Sequence, residues 1–256
     1  MNLAIATNWV QKLGASEAEY EDAHAFRFLA ESTGDDGSMQ YSAAIADGAT
    51  DSWHSGLWAR ILATGAVKGD STATQMSDRF EELRQRWRHE AVPADASWVS
   101  EEKARGGAHA AILVLSVRTP SIRGEPGTWS AWAVGDCCLF QLREGNCITS
   151  FPYARAEEFA CNPKLVETGS PVDQFKSIDI ELSGRWQTGD EFLMATDALA
   201  LWCMERIDES GKYDEAAFAE VTRPQSRAAF LDWVARARKT GHLRNDDTSL
   251  VAFRTG

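Results

Sequence analysis

Residues 40–62, QYSAAIADGATDSWHSGLWARIL, change period in the middle. Residues 40–46 carry no charge and read as a short buried strand. Asp47-Gly48 stops that strand, and across 52–67 the apolar residues Trp53, Leu57, Trp58, Ile61 and Leu62 recur at helical spacing. Upstream, residues 22–29 (DAHAFRFL) read as a second strand. The cluster Gly34-Asp35-Asp36-Gly37 supplies turn residues that join the two strands as a hairpin. Downstream, residues 74–90 predict a second helix with Met76, Phe80, Leu83 and Trp87 on one face. A hairpin followed by two consecutive helices is not βαβ winding.

The rest of the chain returns to strand-like patterning. Residues 108–117, 129–134 and 138–142 read as strands, with turns at Gly135-Asp136 and Glu144-Gly145-Asn146. Residues 177–182 alternate polar and apolar, and 192–196 form a buried run. Helices are expected at 197–207, 214–221 and 227–238, and a final strand at 248–253. Strands in hairpins with paired helices between them imply antiparallel sheets covered by helices, an α+β fold class. No repeat, linker or low-complexity tract divides the chain, so residues 1–256 are read as a single domain.

Composition narrows the function. Of 256 residues, 44% are hydrophobic and 25% charged, ample for a globular core. Lys plus Arg number 26 against 38 Asp plus Glu, a formal net charge of −12, which opposes binding to nucleic acid or an anionic membrane surface. The longest uncharged apolar run, 109–117, is far short of a bilayer span. No basic residue precedes the apolar part of MNLAIATNWV, so the N-terminus does not read as a signal peptide and a cytoplasmic location is expected. The five cysteines, Cys137, Cys138, Cys147, Cys161 and Cys203, include no CxxC pair and are read as reduced, mostly buried thiols. The five histidines lack zinc-site spacing. Cys137 and Arg143 have the C-x5-R spacing of thiolate phosphatases, but the intervening run is strand-like and has no glycine to cradle an anion.

Acidic residues fall where apolar runs stop: Glu21-Asp22, Asp47, Asp136, Asp197 and Asp246. Single Asp or Gly residues at such places usually mark turns. Carboxylates gathered at strand ends would instead repel one another and lose solvent, a conflict that hard divalent cations resolve. Two such ions about 3.5–4 Å apart can activate a water toward a phosphoryl group.

In order along the chain, these motifs resemble the PP2C-type (PPM) metal-dependent Ser/Thr protein phosphatases. Tyr20-Glu21-Asp22-Ala23 is similar to the family's "ED" motif and Ile45-Ala46-Asp47-Gly48 to its "DG" motif. Gly107-Ala108-His109-Ala110-Ala111 is similar to the strand opening "G-[ST]-T-A", and Trp132-Ala133-Val134-Gly135-Asp136 to "NVGDS". Met194-Ala195-Thr196-Asp197-Ala198 is similar to "ATDG", and Asn245-Asp246-Asp247-Thr248-Ser249 to the terminal "DD/DN-x-[ST]". The resemblance implies an α-β-β-α sandwich of two packed antiparallel sheets with a binuclear Mg2+ or Mn2+ site. It implies that Asp47 bridges both metals, that the Gly48 carbonyl ligates one, and that Asp197 and Asp246 bind the other side. Glu21 and Asp22 would act mainly through water, and Asp136 would join Asp197 around a third, weaker ion.

The chain also departs from that family. Glu17 stands where the family carries its phosphate-gripping Arg, which leaves Lys12 as the candidate for substrate binding; a plain solvated charge is the alternative for Lys12. The family's "DGHGG" becomes Asp47-Gly48-Ala49-Thr50-Asp51, so the His proposed as general acid is missing and His54 is the candidate substitute. Ala198 replaces a glycine and so requires a backbone without positive φ. Leu201 replaces an acidic residue, which weakens the third-metal site. The resemblance implies an enzyme that removes phosphate from phosphoserine and phosphothreonine in proteins through a metal-activated water. Its partners would be a phosphorylated protein substrate and a cognate Ser/Thr kinase system. The alternative is a catalytically weak or inactive module of the same fold that binds a partner; a small phosphorylated molecule is the third substrate reading.

Overall fold

The computed structural model describes residues 3–29, 38–92, 97–122, 124–160, 162–169, 175, 181–224 and 226–256. The expected turn at 34–37, most of the expected strand at 177–182, and Cys161 lie outside the described residues. In chain order the strands are β1 Leu3–Val10, β2 Ala23–Leu29, β3 Gln40–Gly48, β4 His109–Arg118, β5 Gly127–Val134, β6 Cys138–Arg143, β7 Asn146–Phe151, β8 Val166–Glu167, β9 Glu181–Trp186, β10 Glu191–Ala195 and β11 Thr248–Thr255. The helices are α1 Ser55–Ala66, α2 Ala73–Ala91, α3 Trp98–Arg105, α4 Asp197–Met204, α5 Glu215–Thr222 and α6 Arg227–Lys239. Strands and helices of this order, with antiparallel pairing, give the expected α+β class.

The chain forms two units, one antiparallel sheet in each. One comprises residues 21–135 and 163–185, the other residues 1–20, 136–162 and 186–256, so neither is a continuous stretch of sequence.

In the first unit, which contains Asp47, the sheet order is β2-β3-β4-β5-β9, with β8 pairing β4. The β2–β3 hairpin is present, with Ala23 opposite Ala46 and Leu29 opposite Gln40. One sheet face contributes Ala44, Ala46, Ile112, Val114 and Trp132 to a core with Trp58, Ile61, Phe80 and Trp87 of α1 and α2. Trp58 is fully buried, yet its indole N–H donates to the Val166 carbonyl at 2.9 Å, so its burial leaves no polar atom unmet. Trp132 likewise donates to the Ser71 carbonyl at 2.9 Å. The Thr72 hydroxyl caps α2 by accepting from Gln75 N–H, which is why the helix starts there.

In the second unit, which contains Asp197, the order is β1-β11-β10-β6-β7. Phe140, Leu142, Leu193, Leu250 and Ala252 of the sheet bury against Leu199, Trp202, Phe218, Phe230 and Trp233 of the three helices. Trp202 and Trp233 meet edge to face with ring centroids 5.0 Å apart. Glu144 and Gly145 both take positive φ in the β6–β7 turn, the twist that a two-residue hairpin requires. Cys137, Cys138 and Cys203 are buried thiols in no disulfide and Cys147 is half-buried. Arg143, the distal member of the C-x5-R spacing, is not aimed at an anion site: its guanidinium grips the fully buried Asp190 carboxylate at 2.5 and 2.7 Å.

Candidate active site

Glu21, Asp22, Asp47 and Gly48 gather at one end of the first unit's sheet. Continuing the β2–β3 register beyond the pair Ala23–Ala46 sets Asp22 opposite Asp47. Glu21 is fixed there by three contacts. Its carbonyl accepts from Gly48 N–H at 3.3 Å, and its carboxylate accepts from the hydroxyls of Ser55 at 2.5 Å and Thr50 at 2.7 Å. Ser55 begins α1, so the anion also sits at the favourable end of a helix dipole. Gly48 is required sterically. A Cβ there would lie 2.6 Å from the Ser55 carbonyl carbon and 2.9 Å from the Glu21 carbonyl oxygen, both backbone atoms that cannot swing away. Asp22 is buried and Asp47 half-buried.

His54 precedes α1 in the left-handed region, at φ 53° and ψ 39°. Its ring lies 5.2 Å from that of Trp53, in the wall of a cleft of about 500 Å³ that Lys103 and His109 also line. Burial pushes the imidazole pKa below its ordinary 6.5. The neutral form therefore dominates at pH 7, a poor state from which to deliver a proton to a leaving group.

Gly135, which follows β5 at the end of the first unit's segment 21–135, turns the chain at φ 103° immediately before Asp136; a Cβ on it would lie 2.5 Å from that of Ala111 on β4. The second unit then assembles Asp136, Asp197 and Asp246. Asp197 opens α4, tied to β11 by the Thr196 hydroxyl, which accepts from Ser249 N–H at 3.0 Å. Ala198 is already helical, so the replaced glycine leaves no strained backbone. Asp246 is held by its carbonyl, which accepts from the Arg238 guanidinium and from the Thr248 hydroxyl.

These three carboxylates act on one another. Burial, then Asp136 and Asp246, push the Asp197 carboxyl up to about 7. Burial also raises Asp136, with Asp246 adding to the rise and Arg244 opposing it. Arg244 is the cation acting on both. Its Nη1 lies 4.0 Å from Asp197 Oδ2, and about half of its side chain is exposed. Among the described residues no three His, Cys, Asp or Glu side chains form a ready-made metal cage. An ion such as Mg2+, which keeps several waters and takes one or two carboxylates, does not need one, and a set of mutually repelling hard oxygen donors suits it.

Lys12, the expected substrate grip, follows β1. Its backbone N–H donates to Asp247 Oδ1 at 2.7 Å, beside Asp246, and its ammonium acts on Glu19. Glu17 is exposed in a single 3-10 turn, Glu17–Glu19. Sequence reading missed Thr50 and Ser55, which orient Glu21, and Arg238, which holds the Asp246 loop. It also missed Arg244. Small hydroxyl residues after a strand and an Arg before a turn are too common to stand out; only the tertiary contacts give them meaning.

No family model matches this sequence, and no curated protein matches it. Among solved structures, the chain is similar to the catalytic domain of the serine/threonine protein phosphatase PstP in complex with two manganese ions, with TM-score 0.59, 12% identity and coverage of 98% of this chain and 97% of that one. It is similar to PppA, described as a key regulatory component of T6SS in Pseudomonas aeruginosa, with TM-score 0.53, 15% identity and coverage of 100% and 99%. It is also similar to the PPM Ser-Thr phosphatase MsPP from Mycobacterium smegmatis, with TM-score 0.50, 16% identity and coverage of 99% and 98%. At these identities the likeness is one of fold. No helix among the described residues is long and apolar enough to cross a membrane.

Proposed function

We propose that this chain, which has the fold of the PP2C-type serine/threonine phosphatases, is a Mg2+- or Mn2+-dependent enzyme that hydrolyses phosphoserine and phosphothreonine in proteins, residues 1–256 acting as one domain. The observation that supports this best is the conflict among the half-buried carboxylates of Asp136, Asp197 and Asp246: Asp136 and Asp246 raise the pKa of Asp197, Asp246 also raises that of Asp136, and divalent cations would relieve the repulsion. When bound, two such ions supply a water of lowered pKa and positive charge for the phosphoryl oxygens. Asp47, the Gly48 carbonyl, Asp197 and Asp246 would hold them, and Asp136 with Asp197 would hold a third. That the Asp47 group and the Asp197 group serve one metal pair is inferred from the order of the motifs.

The chain's own residues have separate tasks in this reading. Glu21, oriented by Ser55 and Thr50, and Asp22 would order water about the ions. His54, an exposed residue whose partial desolvation favours the neutral ring, would contribute little as a proton donor near pH 7. Substrate would come from a Ser/Thr kinase system acting on the same proteins.

Glu17 favours a second reading, a partner-binding module of the same fold, because an anion at the gripping position repels phosphate. The deciding experiment is hydrolysis of p-nitrophenyl phosphate and of a phosphothreonine peptide with Mn2+, with chelator, and with an Asp47→Asn variant. Chelator-sensitive turnover lost in Asp47→Asn supports the enzyme. Metal binding without turnover supports the module.

A further inference from the structure

We propose that Arg244 is the residue that grips the substrate phosphate, in the place of the arginine that Glu17 has replaced. This inference rests on the phosphatase reading and assigns a substrate contact within the same site.

The geometry separates Arg244 from Arg143 and Arg238, two other arginines of its unit. Arg143 is committed as a fork to Asp190, with both bonds at or under 2.7 Å. Arg238 is committed to the carbonyls of Gln11 and Asp246 and to the Thr248 hydroxyl, so its donors already hold the loop. Arg244 reaches Asp197 at 4.0 Å, a long ion-pair distance, and makes no other polar contact among the described residues. A guanidinium carries five N–H donors, and this contact leaves them available to a ligand. Its side chain is 52% exposed while Asp197 is 19% exposed, so it stands on the solvent side of the carboxylates, where a dianionic phosphate would arrive. A planar fork can bind two phosphate oxygens at once, which the Lys12 ammonium cannot. The acidic surface also repels phosphate at long range, so one cation close to the carboxylates matters more here than on a basic protein.

The test compares wild type with Arg244→Ala and Arg244→Lys. The readouts are steady-state kinetics on p-nitrophenyl phosphate with Mn2+, inorganic phosphate binding by calorimetry with Mg2+, and Mn2+ affinity. Since the side chain is exposed, both variants are expected to melt with wild type. Arg244→Ala should raise KM and the phosphate Kd about tenfold or more and change kcat less than about threefold, as loss of a charge-assisted pair predicts. Arg244→Lys should recover only part of the loss. Unchanged KM and phosphate affinity overturn the proposal, and tighter Mn2+ binding alongside them would assign Arg244 to offsetting the carboxylates. A wild type that hydrolyses p-nitrophenyl phosphate while Arg244→Ala keeps its KM defeats this inference and leaves the enzyme reading standing. A wild type that binds phosphate through Arg244 without turnover does the reverse. Absence of both turnover and phosphate binding in wild type defeats both.

Discussion

Replacing Asp197 with asparagine should stabilise the metal-free protein, and should do so only above mildly acidic pH. In the folded chain this carboxyl is pushed up to about 7 by burial and by Asp136 and Asp246, from an ordinary 3.8. A raised carboxyl means the folded state holds its proton more tightly than the unfolded state. Stability is therefore greatest below the unfolded pKa and falls as pH rises from about 4 to about 7, and the full penalty persists above that. Roughly three pKa units correspond to about 4 kcal/mol, an upper limit because side chains and water rearrange to relieve part of it. The substituted amide has no charge to desolvate, and its oxygen can still accept from Ala198 N–H as the Asp197 carboxylate does. Urea unfolding in EDTA at constant ionic strength, from pH 5 to pH 8, should show the variant gaining on wild type as pH rises. With Mn2+ the gap at pH 8 should narrow: at a hundredfold excess over Kd, wild type gains about 2.7 kcal/mol and the variant far less, which offsets most of a penalty of at most about 4 kcal/mol. A gap that does not change with pH, or a variant less stable in EDTA at pH 8, would refute the claim that these carboxylates repel.

Gly48→Ala should lower stability by about 1–3 kcal/mol and abolish turnover, because the added methyl meets Ser55 and Glu21 backbone atoms; a melt within about 2 °C of wild type would contradict the packing described. Asp190→Ala should cost about 3–5 kcal/mol in urea unfolding, because it strands Arg143 and the Gln141 amide, and a loss below about 1 kcal/mol would mean that the network is not holding the β6–β10 pair. His54→Ala should lower kcat less than about tenfold at pH 7, since partial desolvation favours the neutral ring; a fall of about a hundredfold or more would restore it as the general acid.

Local pattern and tertiary contact account for what sequence reading recovered and what it did not. The β2–β3 hairpin and helices α1 and α2 were legible because each buries one face, which forces a period of two or 3.6 on the residues. Strand β1 was not, because most of its residues are half-buried and no turn residue announces it; its partners, Thr248–Thr255, lie at the far end of the chain. Helix α3 was missed for want of an apolar stripe: Trp98, its largest residue, is 77% exposed. Residues 146–151 were not read as a strand either, although the turn before them was recognised.

The same distinction runs through the candidate site. A carboxylate that ends a strand leaves a mark in sequence, because the apolar run must stop where the charge begins; Asp47, Asp136, Asp197 and Asp246 all show it. A cation that answers those charges leaves none. Arg244 lies two residues before Asp246, yet its ion-pair partner is Asp197 at the start of α4, and neither spacing nor composition points across that gap. Lys12, selected by its nearness to the replaced arginine in sequence, lies by its backbone against Asp247, and its charge acts weakly on Glu19. The loss of an arginine from one position therefore does not entail loss of the guanidinium from the site, since a side chain from the other end of the chain can present the same fork. That is why comparing Arg244→Ala with Lys12→Ala separates the two: only the residue that meets phosphate should raise KM while leaving kcat nearly unchanged, and equal, small effects from both would leave phosphate binding to the metals alone.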